Sequence, residues 1–146
     1  MQAVRIAATV AALMLMNGGD AFAVDATGLW LTEGGKARVR VSACGNALCG
    51  VVVGLKEPID PETGRPRTDK ENVDPNKRSR PMIGVPIVLG MKPSGTPGKW
   101  VGRVYNAEDG KTYSGSIELI GATTLELQGC ALGGLICKSK TWTRIK

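Results

Sequence analysis

Lys99-Trp100-Val101-Gly102-Arg103-Val104-Tyr105-Asn106, then Ala107-Glu108-Asp109-Gly110, then Lys111-Thr112-Tyr113-Ser114-Gly115-Ser116-Ile117-Glu118-Leu119-Ile120: this stretch decides the fold. Two runs suited to extended backbone flank a turn whose Asp-Gly pair is a strong local hairpin signal. In the second run Tyr113, Gly115, Ile117 and Leu119 fall on one face, the period of a strand. Working outward, Thr123–Cys130 follows with Leu125 and Leu127 inward, and Lys138–Ile145 closes the set with Trp142 and Arg144 on one face. Upstream, Gly28-Leu29-Trp30-Leu31-Thr32 is a short first strand ended by Glu33-Gly34-Gly35. Lys36–Val41 alternates strictly, with Ala37, Val39 and Val41 inward, and Gly50–Leu55 returns beside it. The sum is about seven or eight short antiparallel strands, the rhythm of an all-β, small up-and-down barrel.

Two segments break that rhythm. Met82–Met91, interrupted by Gly84 and Pro86, fits either an edge strand or a short helix over a barrel end. Pro58–Arg80 carries Pro58, Pro61, Pro66 and Pro75, few apolar residues and charges of both signs. A polar loop this long inside one compact domain is a lid, a binding loop or locally disordered. No internal repeat and no second domain is visible, so residues 24–146 form one domain with the long loop 58–80.

The first residues carry a different signal. Arg5 precedes an apolar run from Ile6 to Met16, and Asn17-Gly18-Gly19-Asp20 ends it before Ala21-Phe22-Ala23. That is the pattern of a cleaved signal peptide, residues 1–23, with the mature chain starting at Val24. The run falls short of the roughly 18 to 20 apolar residues a span requires, so no transmembrane segment is expected in the mature protein. The expected location is the periplasm, or the exterior where no outer membrane exists.

Composition narrows the chemistry. The chain has no histidine, which removes Ser-His-Asp and Cys-His nucleophiles and imidazole metal sites. No nucleophile elbow or phosphate-binding glycine loop occurs, so the protein is expected not to be an enzyme and to use no cofactor or metal. The mature aromatics are Trp30, Trp100, Trp142, Tyr105 and Tyr113, which leaves Val, Ile, Leu and Ala to build the core. The net charge of +6 suits anionic neighbours such as head groups or envelope polymers. Bases interleaved with acids argue against nucleic acid.

Cys44 and Cys49 bracket Gly45-Asn46-Ala47-Leu48, and Cys130 and Cys137 bracket Ala131–Ile136. Four cysteines permit three pairings, and an oxidising compartment favours disulfides. Loop entropy gives such short closures only about 2 to 2.5 kcal/mol apiece, and a bridge between the first and last hairpins constrains more chain. Energy therefore does not choose; proximity favours Cys44–Cys49 and Cys130–Cys137. Neither spacing is the C-x-x-C of a redox motif or zinc ribbon.

Gly28-Leu29-Trp30 on the first strand and Thr141-Trp142-Thr143-Arg144 on the last resemble the calycin arrangement of lipocalins, avidins and fatty-acid-binding proteins. That resemblance implies Trp30 packed beneath Arg144 as a structural cap on the barrel floor. Further motifs keep their order: Cys44-Gly45 with Leu48-Cys49-Gly50, Asn72 and Asp74-Pro75, Arg78-Ser79-Arg80-Pro81, Ile83-Gly84, Tyr105-Asn106, Gly110-Lys111-Thr112-Tyr113, Leu125 and Gly129-Cys130. Together they resemble the exported bacterial family catalogued as domain of unknown function 2147. The resemblance covers residues 25–146 and implies a lipocalin-like barrel; it brings no catalytic residues. Where that family reads Tyr-Asp-Pro, this chain has Tyr105-Asn106-Ala107.

Candidate sites follow. Trp100, Tyr105 and Tyr113 are candidates to line a barrel cavity, with core or rim packing as the alternative. Lys77-Arg78-Ser79-Arg80 could grip an anion through Arg78 and Arg80, or pair with nearby acids. Asp69–Asn76 has oxygen ligands at alternate positions but lacks the glycine and closing Glu of a calcium loop, so a string of Asx turns explains it better. Glu118 and Glu126 alternate with apolar neighbours and should face outward, away from any paired-carboxylate site. The expected function is noncatalytic binding of a small apolar or amphipathic molecule in the barrel. The alternative is an envelope interaction module, a filled barrel whose basic loop binds an anionic partner.

Overall fold

The computed structural model describes residues 25–146; the expected signal peptide, and the cut before Val24, lie outside them. Eight strands follow in chain order: β1 Gly28–Leu31, β2 Ala37–Cys44, β3 Ala47–Leu55, β4 Pro86–Pro93, β5 Lys99–Asn106, β6 Lys111–Ile120, β7 Thr124–Ala131 and β8 Ile136–Arg144. Each pairs antiparallel with the next, and β8 returns to β1 through Trp30↔Arg144 and Leu31↔Thr143, closing the barrel. Closure leaves no unpaired edge to template aggregation. The all-β, up-and-down barrel expected from the sequence is what forms.

The ladders from β5 to β8 run without a register break, because period 2 is intact there. The ambiguous Met82–Met91 segment resolves into β4. Its register slips between Leu89 and Lys92, where Gly90 adopts φ 60°, and Pro86 sits at the first strand position, which tolerates a missing donor. A bulge at Gly90 turns the side chains out of phase, which explains why alternation was hidden.

The interior divides into a packed half and an open half. At the floor, where β1 begins and β8 ends, Trp30, Trp142, Ile117, Leu125, Val41, Met91 and Val88 are buried together. The core is built largely of Ala26, Val39, Val41, Leu48, Val88, Val104, Ile117 and Leu125, as composition implies, with Trp30, Trp142 and Met91 added among them. Trp100 packs against this floor cluster. Gly28 is required here by space and conformation: its φ is 134°, and a Cβ would stand 2.4 Å from the Lys146 carbonyl oxygen. Arg144 lies over Trp30 with its guanidinium carbon 4.3 Å from the ring centroid.

Disulfides join Cys44–Cys49 and Cys130–Cys137, with Cα separations of 5.8 and 4.1 Å. The first staples the β2–β3 turn at the floor. The second crosses the neck of β7–β8 at the mouth, where Cys130 and Cys137 are register partners.

The long polar segment between β3 and β4 is ordered. Isolated bridges Ile59↔Pro66 and Thr68↔Pro81 fold it back on itself, and a short 3-10 turn, Pro75–Lys77, is capped by the Asp74 side chain. It docks on the β5–β6 turn, where Val73 N–H donates to the Gly110 carbonyl at 3.2 Å. Gly110 has φ 72°, and a Cβ there would fall 1.7 Å from the Glu71 carbonyl oxygen. Only glycine permits that approach.

Candidate functional site

The open half encloses a cavity of about 920 Å³. Its deep wall is apolar, built by Val39, Val52, Val104, Leu127 and Trp142, and the long loop contributes Thr68, Lys70 and Met82 to its rim. The unexpected feature is β8. Its alternation places Ile136, Lys138, Lys140 and Trp142 on the same face as their β7 register partners Ala131, Gly129, Leu127 and Leu125. Both lysines thus line the barrel lumen near the mouth. Gly129 opposite Lys138 presents no side chain, so the wall recedes where that ammonium enters.

An ion cluster crosses the mouth. Glu108, on the β5–β6 turn, is ion-paired with Lys36 at 3.5 Å and with Lys140 at 3.7 Å. Lys36 and Glu108 are largely exposed and Lys140 about half so, so water screens the cluster and it contributes little stability. Lys138 forms no ion pair among the described residues. The rim mixes both signs of charge, with Glu33, Glu57, Asp60, Glu71, Glu108 and Asp109 beside Lys36, Lys56, Arg67, Lys70, Lys138 and Lys140, above the apolar lining.

The sequence candidates separate. Tyr113 and Tyr105 border the cavity; Trp100 is absent from its wall and belongs to the floor. The Tyr113 hydroxyl donates to the Asp109 carboxylate, and that hydrogen bond pushes its pKa up. Tyr105 is held by the loop instead. Its hydroxyl donates to Asp69, whose side chain is fully buried. Burial first, and then the bond to Asp69, push the Tyr105 phenol up to about 12.

Asp69 is the organising residue of the loop, and sequence reasoning missed its role. Its other oxygen accepts from Asn72 Nδ2 at 2.8 Å and from Arg80 Nε and Nη2, each at 2.9 Å. Arg80 also lies over the Tyr105 ring at 5.6 Å, and Arg78 Nε donates to the Asn72 carbonyl at 2.7 Å. Both arginines considered as an anion grip are thus engaged within the loop, away from the cavity. The run Asp69–Asn76 is a chain of Asx turns: Asn72 Oδ1 accepts from Asp74 N–H and Asp74 Oδ1 from Asn76 N–H, at 2.8 and 3.0 Å. Glu118 and Glu126 are register partners across β6 and β7, alternating with the inward Ile117, Leu119, Leu125 and Leu127.

Comparison with known proteins agrees with this geometry. A solved structure described as "Protein HP1028 from the human pathogen Helicobacter pylori belongs to the lipocalin family" superposes with a TM-score of 0.69 at 22% identity, covering 84% of each chain. That likeness shows a shared lipocalin-like fold. No curated protein matches this chain. A family model described as an uncharacterised protein conserved in bacteria, DUF2147, matches residues 28–144. It takes in all eight strands, the long loop and both disulfides, and the chain belongs to that family.

Proposed function

We propose that this protein is a noncatalytic carrier that holds a small amphipathic molecule in the open half of its barrel. The observation that carries this is a cavity of about 920 Å³ with an apolar depth and Lys138 and Lys140 near its mouth. Such a volume falls within the roughly 300 to 1,000 Å³ of small-molecule sites. The ligand's chain lies against Leu127, Val104 and Trp142, and an acidic head meets the lysines at the rim. The absence of histidine from the sequence supports a role without chemistry. The leader-like residues 1–23 and the two disulfide pairs support a place outside the cytoplasm. The interaction-module alternative requires a filled barrel, which the cavity leaves without support.

The test pairs native mass spectrometry with titration. Dodecanoate and dodecanol share a chain and differ in the head group. Dodecanoate should bind saturably, and replacing both lysines (Lys138→Ala with Lys140→Ala) should weaken it about tenfold or more, since each charge-assisted hydrogen bond contributes roughly 1.5 to 3 kcal/mol. Dodecanol affinity should change little. If neither molecule binds, and the protein carries no bound mass from its own host, the carrier reading fails.

A further inference from the structure

The β7–β8 connection, Ala131-Leu132-Gly133-Gly134-Leu135-Ile136, projects from the mouth as an apolar tip. Leu132, Leu135 and Ile136 are 69%, 85% and 53% exposed. Leu132 also has φ 53°, the one positive value at a non-glycine residue among those described. A left-handed leucine is disfavoured backbone, and here its side chain gains no burial in return. Cys130–Cys137 closes the base of the tip. Ala131 and Ile136 belong to the cavity wall as well, so the apolar tip adjoins the lumen.

The charge around the tip has one sign along the chain. No carboxylate side chain occurs from Leu127 to Lys146, while Lys138 and Lys140 stand directly behind the leucines. Glu108 is paired with Lys36 and Lys140, and Glu33 accepts from Thr141 N–H at 3.3 Å. The other acids of the mouth, Glu57, Asp60, Glu71 and Asp109, belong to the long loop side and the β5–β6 turn, outside the β7–β8 connection. Exposed aliphatic side chains backed by lysines match the two layers of an anionic bilayer surface, acyl chains below and phosphates above. A protein partner fits less well, since the tip lacks the Trp, Tyr or Arg anchors that dominate such interfaces.

We propose that the β7–β8 tip docks the barrel mouth-first onto a bilayer containing anionic lipid. Leu132 and Leu135 enter the acyl boundary, and Lys138 and Lys140 lie at the level of the phosphates. This surface shares Lys138 and Lys140 with the carrier reading but not its apolar depth: Leu132 and Leu135 lie outside the cavity lining, docking does not require a filled cavity, and a ligand can bind in solution without docking.

Co-sedimentation with vesicles tests it. The protein should bind phosphatidylglycerol/phosphatidylcholine vesicles and bind pure phosphatidylcholine vesicles weakly, with the difference shrinking as salt rises. The paired change Leu132→Ser with Leu135→Ser should reduce vesicle binding about tenfold or more. Dodecanoate titration in solution should be unchanged in that variant, which also confirms its fold. In Leu135→Trp, the emission gained at that position should shift to the blue on anionic vesicles. Equal sedimentation of the serine variant, or a Leu135→Trp spectrum unaltered on bound vesicles, overturns the proposal. So does a dimer of the parent protein that the serine variant abolishes while vesicles remain unbound, since the tip then pairs with a second copy. Loss of dodecanoate binding with docking intact would sink the carrier reading alone.

Discussion

Arg144 shows how one side chain can close a barrel. Its Nε donates to the Ala122 carbonyl at 2.8 Å, Nη1 to Thr27 at 2.6 Å and Nη2 to Asp25 at 2.7 Å, while its plane covers Trp30. Three main-chain carbonyls at the floor thus depend on a single planar fork, which a lysine cannot reproduce. Arg144→Met keeps the stem and removes the donors and the charge. It should lower stability by about 2 to 4 kcal/mol, a Tm fall of roughly 10 °C in thermal unfolding, with Arg144→Lys recovering only part. An unchanged Tm would mean that water serves those carbonyls equally well. The Trp30–Arg144 contact was legible through the resemblance of both strand motifs to calycins. Lys138 and Lys140 were not, because lysine ordinarily marks a solvated face. The signal was present all the same: both lie in phase with Trp142, and extending that alternation two steps puts them in the lumen.

Among the elements, the meander from β5 to β8 was readable because its alternation is unbroken. β4 was not, since a glycine bulge dephases it. The long loop misled in another way. Its proline and charge content describes a solvated segment, whereas its order derives from one buried carboxylate, Asp69, that gathers donors from Tyr105, Asn72 and Arg80. No local pattern encodes a partner 36 residues away. That contact has a pH signature. The folded Tyr105 phenol, at about 12, lies above its unfolded value of about 10. Between these values the unfolded chain has lost a proton that the native state keeps, so stability is full below pH 10 and declines toward pH 12. The slope in that window should be shallower in Tyr105→Phe, by an amount on the order of 2 kcal/mol across it. Urea unfolding at pH 9, 10 and 11 measures this, and parallel profiles for the two proteins would rule the coupling out.

At the scale of the molecule, stability and vacancy are assigned to opposite ends. The floor holds the large buried side chains and the mouth holds the cavity, so local opening should be graded along the strands. Hydrogen exchange should be slowest at Ile117 and Leu125 and fastest around Lys138, with an amphipathic ligand slowing the mouth amides alone. Uniform protection from end to end would contradict the division. The barrel as a whole was legible, because strand number follows from period and turn spacing, and closure was implied by the resemblance of the first and last strand motifs to calycins. The half-empty interior was not, since it depends on how much volume the inward residues leave unfilled. The floor also gathers both limits of the described chain: Asp25 meets Arg144, and Leu29 N–H donates to the Lys146 carbonyl at 2.9 Å. A tether attached at either limit therefore holds the barrel by its base. Fixed to a chip or bead through such a handle, the molecule presents its mouth outward as an open cup.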